Sequence, residues 1–465
     1  MRPFLYFLLL AVVLRVGSFF YTVIDHDEST YIVIADELLR GGTYLRDVID
    51  TKPLGIFVIY ELLIELTGGH IPLLRLATSV VIALSAAGLY LASVRVTGER
   101  TAGYVAGVVY VLMCSVYTDY GMSPNTEHYF NALTIWAVAV SVASPRKRWG
   151  LAGTLLGLAF VIKPFAAAEA GAVGLYLVWY YRHDWRALLK NGLVLLFQWL
   201  APVAVVIALF WAEDLLSELW FYSVEVAAAY PVELPWYLRL KYMGDYLLRY
   251  SPFILWAVWA GTQVRPLSKE KHLRQWRYYL LLQCLLVTTV VLLTGKRFGH
   301  YQIQLHPIVA LYVGATSGIV YREILRRRWV PWLVAVVAVG IGIGHATYYA
   351  GKSDDRRELA DYLAPRLGPD ETFLTLDGFQ ILHHLLDRPV PTPYVHSSLL
   401  FYDHHRRAFG IDEGEVAARV LGNPKLRYIV GRRASGEDTD LLPRLLPFFG
   451  EPQYVGEELV VWERR

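Results

Sequence analysis

Asp25, Asp27 and Glu28 fall within four residues, in the stretch DHDESTYIVIADELLRGGTYLRDVIDTKP that follows the first apolar run. If a helix runs from about residue 29 to 40, Asp27 can serve as its N-cap, a position that favours Asp. Capping accounts for one acid. It does not account for three where the chain leaves an apolar segment, because burying charge is costly. Carboxylates grouped in this way are the residue type for taking up a proton from a reacting group. The stretch closes on Lys52-Pro53. Proline keeps Lys52 out of helical geometry and starts a helix one residue later. The Lys52 ammonium can hold a phosphate as a point charge, or reach for lipid headgroups.

Other residues of the same kind lie further along. Lys163 ends the apolar run LLGLAFVIKPF and is again followed by proline. An ionisable residue in such a run is a functional candidate, with snorkelling as the competing explanation. Glu127, in SPNTEHYF, either complements the dipole of a starting helix or supplies a second acid to a binding cavity. The loop GKRFGHYQIQLHP brings together Lys296, Arg297, His300, Tyr301 and His306. Its bases suit an anionic phosphate or diphosphate. The two histidines are too weak a pair for a metal site, so no metal ligands are assigned. A divalent metal as cofactor is left open.

The elements that must position these residues are membrane spans. The chain has 465 residues, 55% hydrophobic and 18% charged, with mean hydropathy +0.37. Soluble domains carry about 25% charged residues. Apolar runs at 3–23, 72–94, 101–119, 128–144, 149–167, 169–181, 191–211, 251–264, 278–294, 306–321 and 329–349 are candidate spans, eleven in all. The first, with Arg15 inside it and no small-x-small cleavage site, reads as a helix rather than a signal peptide. Cys114 and Cys284 lie in apolar runs and read as buried thiols, not a disulfide.

Segment 55–68, with Glu61 and Glu65 one helical turn apart, reads as an interfacial helix. Leaving it out of the count puts every basic loop on one side: Arg95/Arg100, Arg146/Lys147/Arg148, Arg182/Arg186/Lys190, Arg265 to Arg277, and Arg322 to Arg328. Basic loops mark the cytoplasm, so the N-terminus is expected there. The acidic loop 24–71 and residues 351–465 then fall outside. In the outer loop, Tyr31, Ile34 and Leu38 form an apolar stripe suited to docking on the bilayer.

The fold expected is therefore a polytopic α-helical membrane protein, 1–350, followed by a small soluble α/β domain, 351–465. In that tail, β-like runs at 372–376, 427–430 and 458–462 alternate with helix-like stretches near 354–366 and 412–421. Its size suffices for a core of its own. No motif in it points to a named activity.

Asp25-x-Asp27-Glu28-Ser29-x-Tyr31, followed by GGTYLRDVIDTKPLG, resembles the first outer loop of bacterial GT-C glycosyltransferases. The nearest group is the protein O-mannosyltransferase-like family 39, which includes the aminoarabinose transferases of lipid A. The resemblance implies that Asp27, in its Asp-Glu pair with Glu28, is the catalytic Asp. It also implies that Lys52-Pro53 closes the loop and that Lys163 binds the lipid phosphate. Glu127 matches the acid before the next span, and Arg297, His300 and Tyr301 match the late loop more loosely. The likeness runs over residues 1–325. Two departures, Thr51 and Leu54 in place of a Glu and a second Pro, count against a lipid A substrate and against a metal held there.

The reaction implied is transfer of a sugar from a polyprenyl-phosphate donor to a lipid, glycan or protein acceptor, on the extracytoplasmic face of a bacterial or archaeal-type membrane. Asp27 would take the acceptor's proton. Lys163, Lys52 and Arg297 would stabilise the leaving lipid phosphate, and Glu28, Asp25 and Glu127 would orient acceptor or bases. Membrane lipids are further partners, and nucleic acid is not one. The chief alternative is a transporter or flippase of lipid-linked precursors, which should show repeated halves or broken helices; none is visible. A polymerase or ligase of lipid-linked oligosaccharides and a silent binding protein are further rivals.

Overall fold

Each apolar run read as a span holds a helix in the computed structural model, which describes residues 2–116, 121–229, 234–263, 271–295, 299–433, 439–455 and 458–465. In chain order the first helices are α1 (Arg2–Arg15), α2 (His26–Leu39), α3 (Leu54–Thr67), α4 (Ile71–Thr97), α5 (Arg100–Met113), α6 (Thr126–Val140), α7 (Trp149–Ile162), α8 (Ala167–Tyr180) and α9 (Trp185–Ala212). Among the described residues, five helices are long and apolar enough to cross a membrane: Arg2–Phe20, Ile71–Thr97, Trp185–Ala212, Gln275–Leu293 and Trp329–Ala350. The chain divides into two units. One comprises Met1–Phe20, Pro72–Ile207 and Val232–Ala350; the other Tyr21–Ile71, Ala208–Pro231 and Gly351–Arg465.

The first unit is helical and apolar. Small residues set its closest packing: Gly314 and Gly318, on helix His306–Val320, lie against Ala102 and Ala106 of α5. A Cβ on Gly318 would stand 2.2 Å from the Ala102 Cα, so the backbones meet as in membrane helix pairs that use small residues at every fourth position. Arg15 is fully buried. Its guanidinium donates to the carbonyls of Cys114 (2.7 Å), Gly121 (2.7 Å) and Met122 (2.8 Å). A charge in an apolar interior is tolerated when backbone carbonyls satisfy it, and these bonds fix the segment that leads into α6. Cys114 is buried as expected. Cys284 is exposed instead, because its neighbour Gln283 takes the inward face of that helix.

The second unit joins the outer loop to the tail. The tail's sheet has strands β1 (Thr372–Thr375), β2 (Leu426–Arg432), β3 (Gln453–Val455) and β4 (Leu459–Glu463), in the order β1-β2-β4-β3. β1 and β2 are parallel; β4 is antiparallel to both its neighbours. Alternate residues face opposite sides. Leu374, Ile429, Val460 and Trp462 meet Val416, Ala417 and Val420 of helix Glu413–Gly422, while Phe373, Tyr428, Val430 and Val461 meet Leu359 and Leu363 of helix Asp355–Leu363. The sheet is thus covered on both faces, as the runs of apolar residues in β2 and β4 require.

Two expectations for the outer loop are corrected. Helix α2 starts at His26, with Asp25 rather than Asp27 at its N-cap and no side-chain capping bond. The Tyr31–Ile34 stripe does not face the bilayer: both residues are wholly buried, with the Tyr31 ring 6.0 Å from Phe57 and 5.3 Å from Tyr60 of α3. Helix α3 buries Ile56, Phe57, Tyr60 and Ile64 and leaves Val58, Leu62 and Leu66 uncovered.

Polar contacts stitch α2 to the tail. The Gln380 amide donates to Ser29 Oγ (2.9 Å), Arg40 pairs with Asp387 (2.7 Å), and the Val390 N–H donates to Glu37 (3.2 Å). His384 Nδ1 lies 2.7 Å from Asp36 Oδ2, and its Nε2 lies 2.8 Å from the Gly69 carbonyl. Burial alone would lower the His384 pKa, but the Asp36 carboxylate and the Gly69 carbonyl outweigh it and raise it. A raised histidine stabilises fully below its unfolded pKa of about 6.5, and the gain is lost as pH rises through the folded value. The wild-type thermal midpoint should therefore fall relative to His384→Asn as pH is taken from 6 to 8.5. A midpoint difference that stays flat over that range would reject this clamp.

Candidate active site

The sequence-predicted residues fall into two groups, one in each unit. In the second unit, the Asp27 carboxylate sits in the first turn of α2. Lys52 Nζ donates to Asp27 Oδ1 at 2.9 Å, and the Tyr31 hydroxyl, one helical turn on, donates to Oδ2 at 3.3 Å. Lys52 owes its position to the chain before it. Pro53 stands at the N-cap of α3 with φ −63° and ψ 155°, which stops helix short of Lys52. The Tyr44 hydroxyl shares its one proton between the Asp50 carbonyl, at 3.0 Å, and the Lys52 carbonyl, closing the loop on itself. The Lys52 ammonium also lies 3.8 Å from Asp50 Oδ1 and 5.4 Å from the Tyr31 ring centre. A lysine so engaged is not snorkelling to headgroups.

Glu28 is 1% exposed and accepts from the Ile24 N–H at 3.3 Å, so it secures the start of α2 from within. Asp25 is half-buried with extended backbone. His26, between them, has its ring against Gly378, whose φ is +77°. Desolvation of the ring, then the neighbouring His396 and Arg356, act to lower the His26 pKa. A Cβ on Gly378 would fall 2.0 Å from His26 Cε1, in a backbone conformation that side chains rarely adopt. Gly378→Ala should lower the thermal midpoint and donor turnover together; a variant with both at wild-type values would show that this packing does not constrain α2.

In the first unit, Lys163 is the C-cap of α7, its backbone extended at φ −155°, ψ 123° ahead of Pro164. Its ammonium is ion-paired with Glu127 Oε1 and stands 4.1 Å from the Tyr301 ring centre and 5.0 Å from that of Phe165. A cation over aromatic faces gains from the ring quadrupole. Glu127 is 1% exposed, lies in the first turn of α6, and accepts from Thr126 Oγ1 at 3.0 Å. His300 is buried, edge-on to Tyr301 with ring centres 4.6 Å apart. The Asn131 amide donates to the Ile303 carbonyl at 3.0 Å, tying the late loop to α6. Glu127, Lys163, His300 and Tyr301 are thus brought together, whereas Arg297 and Lys296 lie outside the described residues.

Sequence reasoning passed over three residues. Asp50, two positions before Lys52, was visible in IDTKP. Glu169, wholly buried in α8 and accepting from the Gln304 amide at 2.8 Å, was legible as an acid inside an apolar run. His396, with Nε2 3.5 Å from Asp27 Oδ1, had no local signal, because only folding of the tail brings it there.

The Lys163–Glu127 pair is nearly dry, with side chains 11% and 1% exposed. Removing one partner of a buried pair costs roughly 3–5 kcal/mol, because the other charge is left uncompensated. Lys163→Ala should therefore destabilise the protein by about that amount in denaturant titration, and Lys163→Met with Glu127→Gln should cost less than Lys163→Ala alone. If the double variant is the less stable of the two, the pair does not act as a mutually compensated unit.

Residues 51–211, less than half of the chain, match the family model of dolichyl-phosphate-mannose-protein mannosyltransferase. No curated protein matches the chain. Among solved structures, it is similar to ArnT from Cupriavidus metallidurans in the apo state, at 16% identity and TM-score 0.65 over 99% of this chain and 97% of that one. It is similar to the oligosaccharyltransferase AglB of Archaeoglobus fulgidus in complex with an inhibitory peptide and a dolichol-phosphate, at 12% identity and TM-score 0.52, covering 99% and 74%. An apo oligosaccharyltransferase from Archaeoglobus fulgidus matches at 11% identity and TM-score 0.54, covering 97% and 72%. The chain thus has the GT-C membrane fold, and the expected resemblance to GT-C glycosyltransferases is borne out. The matched family and these neighbours are glycosyltransferases, and the apolar helices agree with an integral membrane protein. The matched stretch contains Lys52, Glu127 and Lys163; Asp25, Asp27, Glu28, His300 and Tyr301 lie outside it.

Proposed function

We propose that the protein transfers a sugar from a polyprenyl-phosphate donor to an acceptor hydroxyl on the extracytoplasmic face of the membrane. In this reading residues 1–350 form the membrane-embedded catalytic part, with eleven spans, and residues 351–465 the soluble outer domain. The acceptor oxygen attacks the anomeric carbon and a new C–O bond forms. The bond from that carbon to the phosphate oxygen breaks, and its electron pair leaves with the lipid phosphate. The acceptor's proton passes to Asp27.

The observation that carries the reading is the setting of Asp27. Its carboxylate is anchored on one oxygen by the Lys52 ammonium at 2.9 Å, and it remains 15% exposed at the side chain. It is therefore held in a fixed direction without being sealed off, as a general base must be. Lys163 is assigned to the lipid phosphate. Its present partners, Glu127 and the Tyr301 and Phe165 rings, make an anion-exchange reading natural: the donor phosphate would take the place of Glu127. His300 and Tyr301 wall that position, and Glu28 and Asp25 support the start of α2. Arg297 is retained as a further phosphate ligand on the resemblance alone. The acceptor, whether lipid, glycan or protein, and the sugar are left unassigned. A transporter or flippase finds no support among the matched proteins.

The test is donor turnover by the purified full-length protein, with a panel of radiolabelled polyprenyl-phosphate sugars and membrane extract as the acceptor source. Wild type should consume one donor and release polyprenyl phosphate. Asp27→Asn should lower the rate by at least about 100-fold, the scale of a lost general base, while its thermal midpoint stays close to that of wild type. Full activity in Asp27→Asn would remove Asp27 from the role of base.

A further inference from the structure

The tail reaches the proposed base directly. Ile49 bridges Tyr394 in parallel, and the Ile49 N–H donates to the Pro393 carbonyl at 2.8 Å. Two extended segments therefore run side by side, one from the outer loop and one from the tail. Each advances about 3.3 Å per residue. Three residues on from Ile49 the first delivers Lys52; two residues on from Tyr394 the second delivers His396. Both side chains arrive at the same oxygen: Lys52 Nζ is 2.9 Å and His396 Nε2 3.5 Å from Asp27 Oδ1.

The imidazole is oriented from behind. The Ser398 N–H donates to His396 Nδ1 at 3.2 Å, and the Ser398 hydroxyl lies 2.7 Å from the same nitrogen. With a backbone donor aimed at Nδ1, the ring proton belongs on Nε2, the atom that faces Asp27. His396 is 18% exposed at the side chain, so it is neither a surface residue nor packed away in the core of the tail. Among the described residues of the same unit, Lys52, Asp50, Tyr31, His26 and Asp25 lie about this carboxylate and imidazole.

We propose that His396 is a positioning residue for Asp27: its Nε2–H donates to Oδ1 alongside Lys52, fixes the plane of the carboxylate, and so makes the soluble tail part of the transfer site. The proposal rests on Asp27 being the base. It gives the tail a chemical task, that of reporting its docked state to the carboxylate. An outer loop without the docked tail would keep Lys52 on Asp27 but lose the second donor that sets its direction.

A hydrogen bond to a charged group, once lost, lowers a rate by about 10- to 100-fold. In the donor-turnover assay, His396→Ala should lose that much in kcat with KM for the donor nearly unchanged. His396→Gln, whose amide N–H can stand where Nε2–H does, should recover most of it. The two thermal midpoints should be alike. Combined with Asp27→Asn, His396→Ala should cost nothing further, because it acts only through that carboxylate. Wild-type kcat in His396→Ala, with Asp27→Asn silent, would overturn this inference and leave the function intact. So would equal losses of kcat and thermal midpoint in both His396→Ala and His396→Gln, which is the signature of a merely structural residue. A wild-type protein that consumes no donor would overturn the transferase reading and this inference with it.

Discussion

The Lys52 ammonium against the Asp27 carboxylate is the contact on which the loop from α2 to α3 depends. At about 4 Å and an effective dielectric near 20, two unit charges attract by about 4 kcal/mol. Taking them out of water costs several kcal/mol for each ion, so such a pair adds little net stability. The Asp27 and Lys52 side chains keep only 15% and 22% of their exposure, and the fold goes to some length to bring them together. Helix α2 begins early enough to set Asp27 in its first turn. Pro53 keeps Lys52 extended, and Tyr44 closes the loop that carries it. In the proposed function, that contact of small net stability holds a charge in place for use.

The same economy governs the first unit. Lys163 and Glu127 form a pair even drier than the first, and aromatic rings take the sides that water would otherwise fill. Arg15 solves the related problem by giving its guanidinium to three carbonyls. Among the described residues, these backbone carbonyls hold it in place within the fold. Lys163 pairs instead with a side chain, Glu127, which in the proposed function a donor phosphate replaces.

Much of this was legible in the residues. The order of apolar runs, the proline after each lysine and the acids at the start of α2 are local features, and local features survive reading in one dimension. Two of the tail's helices, Asp355–Leu363 and Glu413–Gly422, and three of its strands were visible from alternation and turns; the short helices Ile381–Leu385, Ser397–Phe401, Asp403–Phe409 and Leu441–Leu445 and the strand β3, only Gln453–Val455, are too short for any period to show. The stripe on α2 was read correctly as apolar and wrongly as lipid-facing. A helical stripe tells that a face is buried, not what buries it, and here α3 does. Asp27 as a helix cap failed for a similar reason: capping and ion pairing draw on the same residue type, and the choice was made by Lys52, at a distance of 25 residues. His396 could not have been found at all, since nothing in PYVHSS differs from an ordinary turn.

That last failure bears on how the tail and outer loop should be understood. Tyr21, Thr22, His26, Ser29, Asp36, Glu37 and Ile49 all bond to residues beyond 350. Contacts so widely separated in sequence form late, after the entropy of a long loop has been lost. Helix α2 lacks a side-chain cap, and its buried stripe needs α3 beneath it; with 14 residues it is marginal alone. Docking of the tail therefore completes the outer loop instead of merely covering it. A chain whose tail has not folded would carry every residue of the sequence motif and still lack the contact of His396 with the Asp27 carboxylate.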